Sequence, residues 1–158
     1  MKSKRSPSLA TPLAVALLLS VALPALGEGI APVRLTPEEI RLSADTSRPG
    51  SMEMAILAGD MGKPGLYAAR IRIPGRLRIQ PHVHPDDRLV VVLAGTLHIG
   101  FGSRFDPALM KALPAGSFFV EPAGTTHFAW TQDDDVIVQV SGIGPSGTVY
   151  LDSGAAGH

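Results

Sequence analysis

The chain has 158 residues, 14 basic and 14 acidic side chains, a formal net charge of zero and no cysteine. That balance does not suggest nucleic acid as a partner. The missing thiols exclude disulfides, cysteine nucleophiles and cysteine metal ligands.

Residues 1–27 read as a secretory signal peptide. Lys2, Lys4 and Arg5 form a basic head, and Leu13 to Leu23 is an apolar run broken only by Ser20. Pro24 ends the run, and Ala25-Leu26-Gly27 supplies small residues at a cleavage site. The run is shorter than the roughly 20 residues a spanning helix needs. Cleavage after Gly27 leaves residues 28–158 as one expected domain, with eleven basic and fourteen acidic side chains. At that size a core can form without covalent staples. The expected location is periplasmic or secreted, with no stable membrane insertion once the leader is removed.

Thr36-Pro37-Glu38-Glu39 carries a cap, a proline at the first helical position and a capping-box glutamate, so a short helix is expected there. Past Pro49-Gly50 the pattern turns to strands. Met52 to Leu57, Tyr67 to Ile73, Arg76 to Gln80, Arg88 to Leu93, Thr96 to Phe101, Ser117 to Glu121, Val136 to Val140 and Thr148 to Leu151 are short apolar runs between Gly, Pro and Asp punctuation. Eight such strands indicate a β-sandwich or small barrel. Phe105 to Leu113 interrupts them with Asp106 as cap, Pro107 and helix formers, which predicts one or two helical turns. Asp86 and Asp87 read as turn formers, and Asp133-Asp134-Asp135 as a solvated turn.

His82 and His84 stand at i and i+2, between Pro81 and Pro85. The prolines oppose a helix. On a strand the two imidazoles share a face, roughly 6.6 Å apart along the chain. With His127 from another strand they make a three-histidine face for one divalent transition metal: Fe, Zn, Ni, Mn or Cu. Three protein ligands leave open positions for a small-molecule ligand or substrate. A metal-free set of lumen histidines remains the alternative. Gln80 shares the face of His82 unless Pro81 introduces a bulge. Phe128 and Trp130 share the face opposite His127, and His98 opposes the apolar Leu97 and Ile99, which predicts exposure.

The spacing resembles the cupin superfamily. Its first motif orders glycine, His-x-His, glutamate and glycine. Here Gly75 precedes His82-Val83-His84 by six residues, Arg88 follows after three, and Gly95 after six more. The second motif orders glycine, Pro-x-Gly, histidine and asparagine. Here they are Gly116, Pro122-Ala123-Gly124, His127 and Thr131. The resemblance covers residues 75–131. It implies an all-β fold: a single conical antiparallel β-barrel with one or two short helices and with the histidines in its mouth. Cupins often dimerise through barrel faces, so a homodimer is a further expectation.

Two positions depart from the pattern: Arg88 replaces the glutamate and Thr131 the asparagine. Arginine only donates and cannot bind a cation. Arg88 is expected to clamp an anionic substrate, to pair with Glu121, or to turn outward to Asp86 or Asp87. Glu121 directly precedes Pro122. Facing the lumen, it would be a substitute ligand, a general base or the partner of Arg88; facing outward, it is a strand-end charge. The expected function is a metal-dependent enzyme (oxygenase, isomerase or hydrolase) acting on a small anionic molecule. A non-catalytic binding or sensing barrel and a metal-free structural barrel are the alternatives.

Overall fold

The computed structural model describes residues 29–44 and 51–151. Residues 1–28, which contain the expected leader, residues 45–50, and residues 152–158 with His158 lie outside the described residues.

Two antiparallel sheets face each other as a barrel-like jelly roll. In chain order the strands are β1 (Ser43–Ala44), β2 (Glu53–Ala58), β3 (Gly65–Ile73), β4 (Arg78–Val83), β5 (Arg88–Ala94) and β6 (Thr96–Phe101). Then come β7 (Lys111–Pro114), β8 (Phe118–Glu121), β9 (His127–Trp130), β10 (Val136–Gly144) and β11 (Val149–Tyr150). The first sheet runs β1-β2-β3-β10-β5-β8 and the second β11-β4-β9-β6-β7.

Alternation builds the core. On β5, Arg88, Val90 and Val92 point inward while Leu89 and Leu93 are exposed. Val136, Val138 and Val140 do the same from β10, and Leu97, Ile99, Leu113 and Ala129 answer from the opposite sheet. Each full burial of a valine or leucine contributes about 1.5–3 kcal/mol. Gly95 makes the β5–β6 turn at φ +73, where a side chain would strain the backbone and strike the Asp135 carbonyl.

Two expected helices shrink. Pro37–Glu39 is one 3-10 turn, in which Glu39 accepts from the Thr36 amide at 2.7 Å. The insertion keeps only a turn at Pro107–Leu109, with Asp106 accepting from the Ala108 amide. Lys111 to Leu113, expected to be helical, instead belong to strand β7 (Lys111–Pro114), paired along β6 from Ile99 to Thr96. Ladder bonds to a neighbour outweigh the local helix preference of Ala and Leu.

Candidate metal centre

β4 and β9 place His82 directly opposite His127. The register slips between Ile79 and His82, at Pro81, which lacks a ladder donor. That bulge turns Gln80 to solvent and leaves His82 inside. His84 follows β4, and its carbonyl accepts from the Gly124 amide at 2.8 Å. All three histidines are buried, and their ring centroids lie 4.3–5.0 Å apart.

One hydrogen-bond pattern repeats on each ring. His82 Nδ1 donates to the Gln80 carbonyl at 2.7 Å, His84 Nδ1 to the Gly147 carbonyl at 2.7 Å, and His127 Nδ1 to the Thr125 carbonyl at 2.9 Å. A carbonyl only accepts, so each Nδ1 carries the proton and each Nε2 keeps a lone pair. The three potential ligand atoms lie within 4.8 Å of one another. Burial pushes His82 and His84 down to about 4 and lowers His127, so the rings are neutral near pH 7. His127 Nε2 is buried without a hydrogen-bond partner. A carbonyl orienting each ring from behind is the arrangement metal-ligating histidines require. The donor set fits a divalent transition metal.

Beside the histidines lies a cavity of about 470 Å³. Its walls are apolar, with Met54, Ile71, Ile79, Leu97, Phe119 and Val138 among them. That volume suits a small organic molecule. Tyr150 on β11 borders it, 5.3 Å from the His82 ring.

No family model matches the chain. Over 69 residues it is 38% identical to germin-like protein 5-1 of Oryza sativa subsp. japonica, covering 43% of this chain and 31% of that protein. The chain spans about a third of the length of the curated relatives it matches. An RmlC-like cupin from Shewanella frigidimarina superposes with a TM-score of 0.56 at 17% identity, covering 73% of this chain and 94% of that one. The chain has the cupin fold. The DMSP lyase DddQ from Ruegeria pomeroyi shares this cupin fold, with a TM-score of 0.56 and 24% identity over 81% of this chain and 64% of that one.

The cupin positions that depart from the motifs take new partners. Arg88 points inward and is 7% exposed. Its Nη1 donates to His84 Nε2 at 3.0 Å, and its Nη2 to Ser146 Oγ at 2.6 Å and the Gly147 carbonyl at 2.9 Å. Its Nε lies 3.6 Å from Asp86 Oδ1. Arg88 also lines the cavity beside the histidines. Thr131 holds the β3–β4 turn, donating to the Pro74 carbonyl at 2.7 Å and accepting from the Leu77 amide at 3.1 Å.

Asp86 is not the simple turn former its neighbours imply. It is 7% exposed and accepts from Tyr67 Oη at 2.6 Å and Ser146 Oγ at 2.7 Å. Its partners lie 19 and 60 residues away in sequence, so no local pattern announces them. Asp87 is exposed and accepts from the Ala123 amide at 2.7 Å.

Glu121 faces the lumen. Its Oε2 lies 3.4 Å from His84 Nε2 and its Oε1 3.4 Å from His127 Nε2. Burial pushes its carboxyl up to about 7, against the pull of Arg88. Phe128 is fully buried outside the cavity, 5.4 Å from the Phe105 ring, and Trp130 lies under the Arg78 guanidinium. His98, expected to be exposed, is half-buried against Trp130. The aspartate turn forms surface pairs, Asp135 with Arg72 and Asp133 with Arg76.

Proposed function

We propose that the chain is an exported metal-dependent enzyme of the oxygenase, isomerase or hydrolase type. His82, His84 and His127 hold its divalent transition metal. One observation carries this reading: three neutral imidazoles turn their Nε2 lone pairs toward one another, each fixed from behind by a backbone carbonyl. Lone pairs converging in a buried place need a cation or a donor between them. When bound, the ion polarises an oxygen of the molecule beside it.

The substrate we propose is a small anionic molecule with an apolar body, whose oxygen head the ion held by His82, His84 and His127 would receive. The apolar cavity walls receive the body. Arg88 acts on the site from the side, steering His84 and the Ser146–Gly147 loop. Glu121 is the remaining carboxylate facing the imidazoles. Export rests on the leader pattern of residues 1–27. Among the described residues no helix is long and apolar enough to cross a membrane.

Elemental analysis of untagged protein beside a His82→Ala/His84→Ala variant tests the reading. A transition metal near one per chain, lost in the variant, is the expected result. Its absence from both, with folding unchanged, overturns it. A second reading has its own observation: Arg88 Nη1 already occupies the His84 lone pair. In that reading the guanidinium substitutes for the ion, and the barrel binds a small molecule without turnover.

A further inference from the structure

Position 88, where cupins carry a carboxylate ligand, is the direct register partner of Glu121 across β5 and β8. The two side chains start from neighbouring points on the same inner face of one sheet. The carboxylate missing at position 88 is therefore present one strand over, aimed at the same histidines.

Glu121 meets two imidazoles through acceptor atoms, one oxygen to each, and a single carboxyl proton can bridge only one of the two contacts. His127 Nε2 is an acceptor without a hydrogen bond, and a Glu121 oxygen faces it at 3.4 Å. His84 Nε2, also an acceptor, meets the other oxygen at the same distance. Two ligands each about 2.1 Å from one tetrahedral ion stand about 3.4 Å apart. The spacing is that of neighbouring ligands on a shared ion.

The charges agree. Arg88 Nε lies 3.6 Å from Asp86 Oδ1, and Asp86 offsets part of its charge, so its pull on Glu121 is only partial. Three neutral imidazoles alone would leave a divalent ion with both its charges in a buried place, which is costly. One carboxylate halves that excess. Only the bond from Arg88 Nη1 to His84 has to yield to the ion; the bonds from Nη2 to Ser146 and Gly147 can persist.

We infer that Glu121 is the fourth protein ligand of the metal, a carboxylate transposed from β5 to the facing position on β8. The inference rests on the three-histidine reading above. It is tested by titrating metal-stripped full mature protein with Zn²⁺ against a chromophoric chelator, and with Co²⁺ read by its visible bands. Glu121→Gln keeps the shape of the side chain and removes its charge. The expected result is a loss of Zn²⁺ affinity of more than about 100-fold, beyond the 10–100-fold that loss of an outer partner costs. The Co²⁺ bands should also shift. Should Glu121→Gln not fold, Glu121→Asp retains the charge but withdraws the oxygens by one methylene, and affinity must still fall. Binding by Glu121→Gln within about tenfold of wild type, with unchanged Co²⁺ bands, overturns the inference and leaves the three-histidine site standing. No binding by wild type, or equal binding by His127→Ala, overturns the histidine site itself and this inference with it.

Discussion

The Tyr67 hydroxyl donates to Asp86 Oδ2 at 2.6 Å, and Gly142 leaves the space in which they meet. A Cβ at Gly142 would stand 2.7 Å from the Tyr67 oxygen and 2.9 Å from Asp86 Oδ2. This bond anchors the carboxylate that pairs with Arg88. Tyr67→Phe removes the donor from a buried acceptor, and such losses cost about 1–3 kcal/mol. Urea denaturation of the variant should show that loss with an unchanged m-value. A midpoint equal to wild type would mean that Asp86 finds another donor.

Arg88 and Asp86 should behave as one unit. Arg88→Gln leaves Asp86 charged and buried without its cation, and breaking a buried pair from one side costs about 3–5 kcal/mol. Asp86→Asn in the same chain removes the orphaned charge. The double variant is expected to be more stable than the sum of the single losses predicts, by about 0.5–3 kcal/mol. Strict additivity would show that the two do not interact.

The metal-free protein should weaken in acid. The folded pKa values of His82 and His84, about 4, lie below the ordinary 6.5, because burial disfavours the charged rings. The unfolded chain then binds more protons between those limits, so stability is full above pH 6.5 and is lost as pH falls toward 4. Glu121 works the other way. Its raised value, about 7, gives stability that is full below 4.5 and is lost as pH rises through 7. Three lowered histidines against one raised carboxyl make the acid loss dominant. With chelator present, the melting temperature should fall from pH 6.5 to 4, and fall more steeply in Glu121→Gln. A flat profile would contradict the burial of the rings.

Metal uptake should release a proton. At pH 6 the Glu121 carboxyl is mostly protonated in the metal-free protein, and an ion held by that carboxylate must displace its proton. Calorimetry in buffers of different ionisation enthalpy should report about one proton released at pH 6 and far less at pH 8. Equal release in Glu121→Gln would assign the proton to another group.

The histidine trio and most strands were legible because their signals are local. His82 and His84 need only period-2 alternation, and the prolines exclude a helix. Glu121 was ambiguous for a physical reason. Phe118, Phe119 and Val120 put apolar residues on both faces of β8, so alternation could not say which way its last residue points. Asp86 lies in the bend expected of it, but its burial was not legible because the Tyr67 and Ser146 hydroxyls come from distant strands and loops. Lys111, Ala112 and Leu113 were misread because they prefer helix and only pairing with β6 makes them a strand.

The Gly147 carbonyl that fixes the His84 ring lies 63 residues further along the chain, in the loop that leads to β11. During synthesis His82 and His84 emerge long before that carbonyl exists. Until it arrives, either nitrogen of His84 can carry the proton, and the ring has no reason to offer Nε2. The tautomer of His84 is thus set by a contact across 63 residues of sequence, and docking of this loop is the step that turns the third lone pair toward the other two.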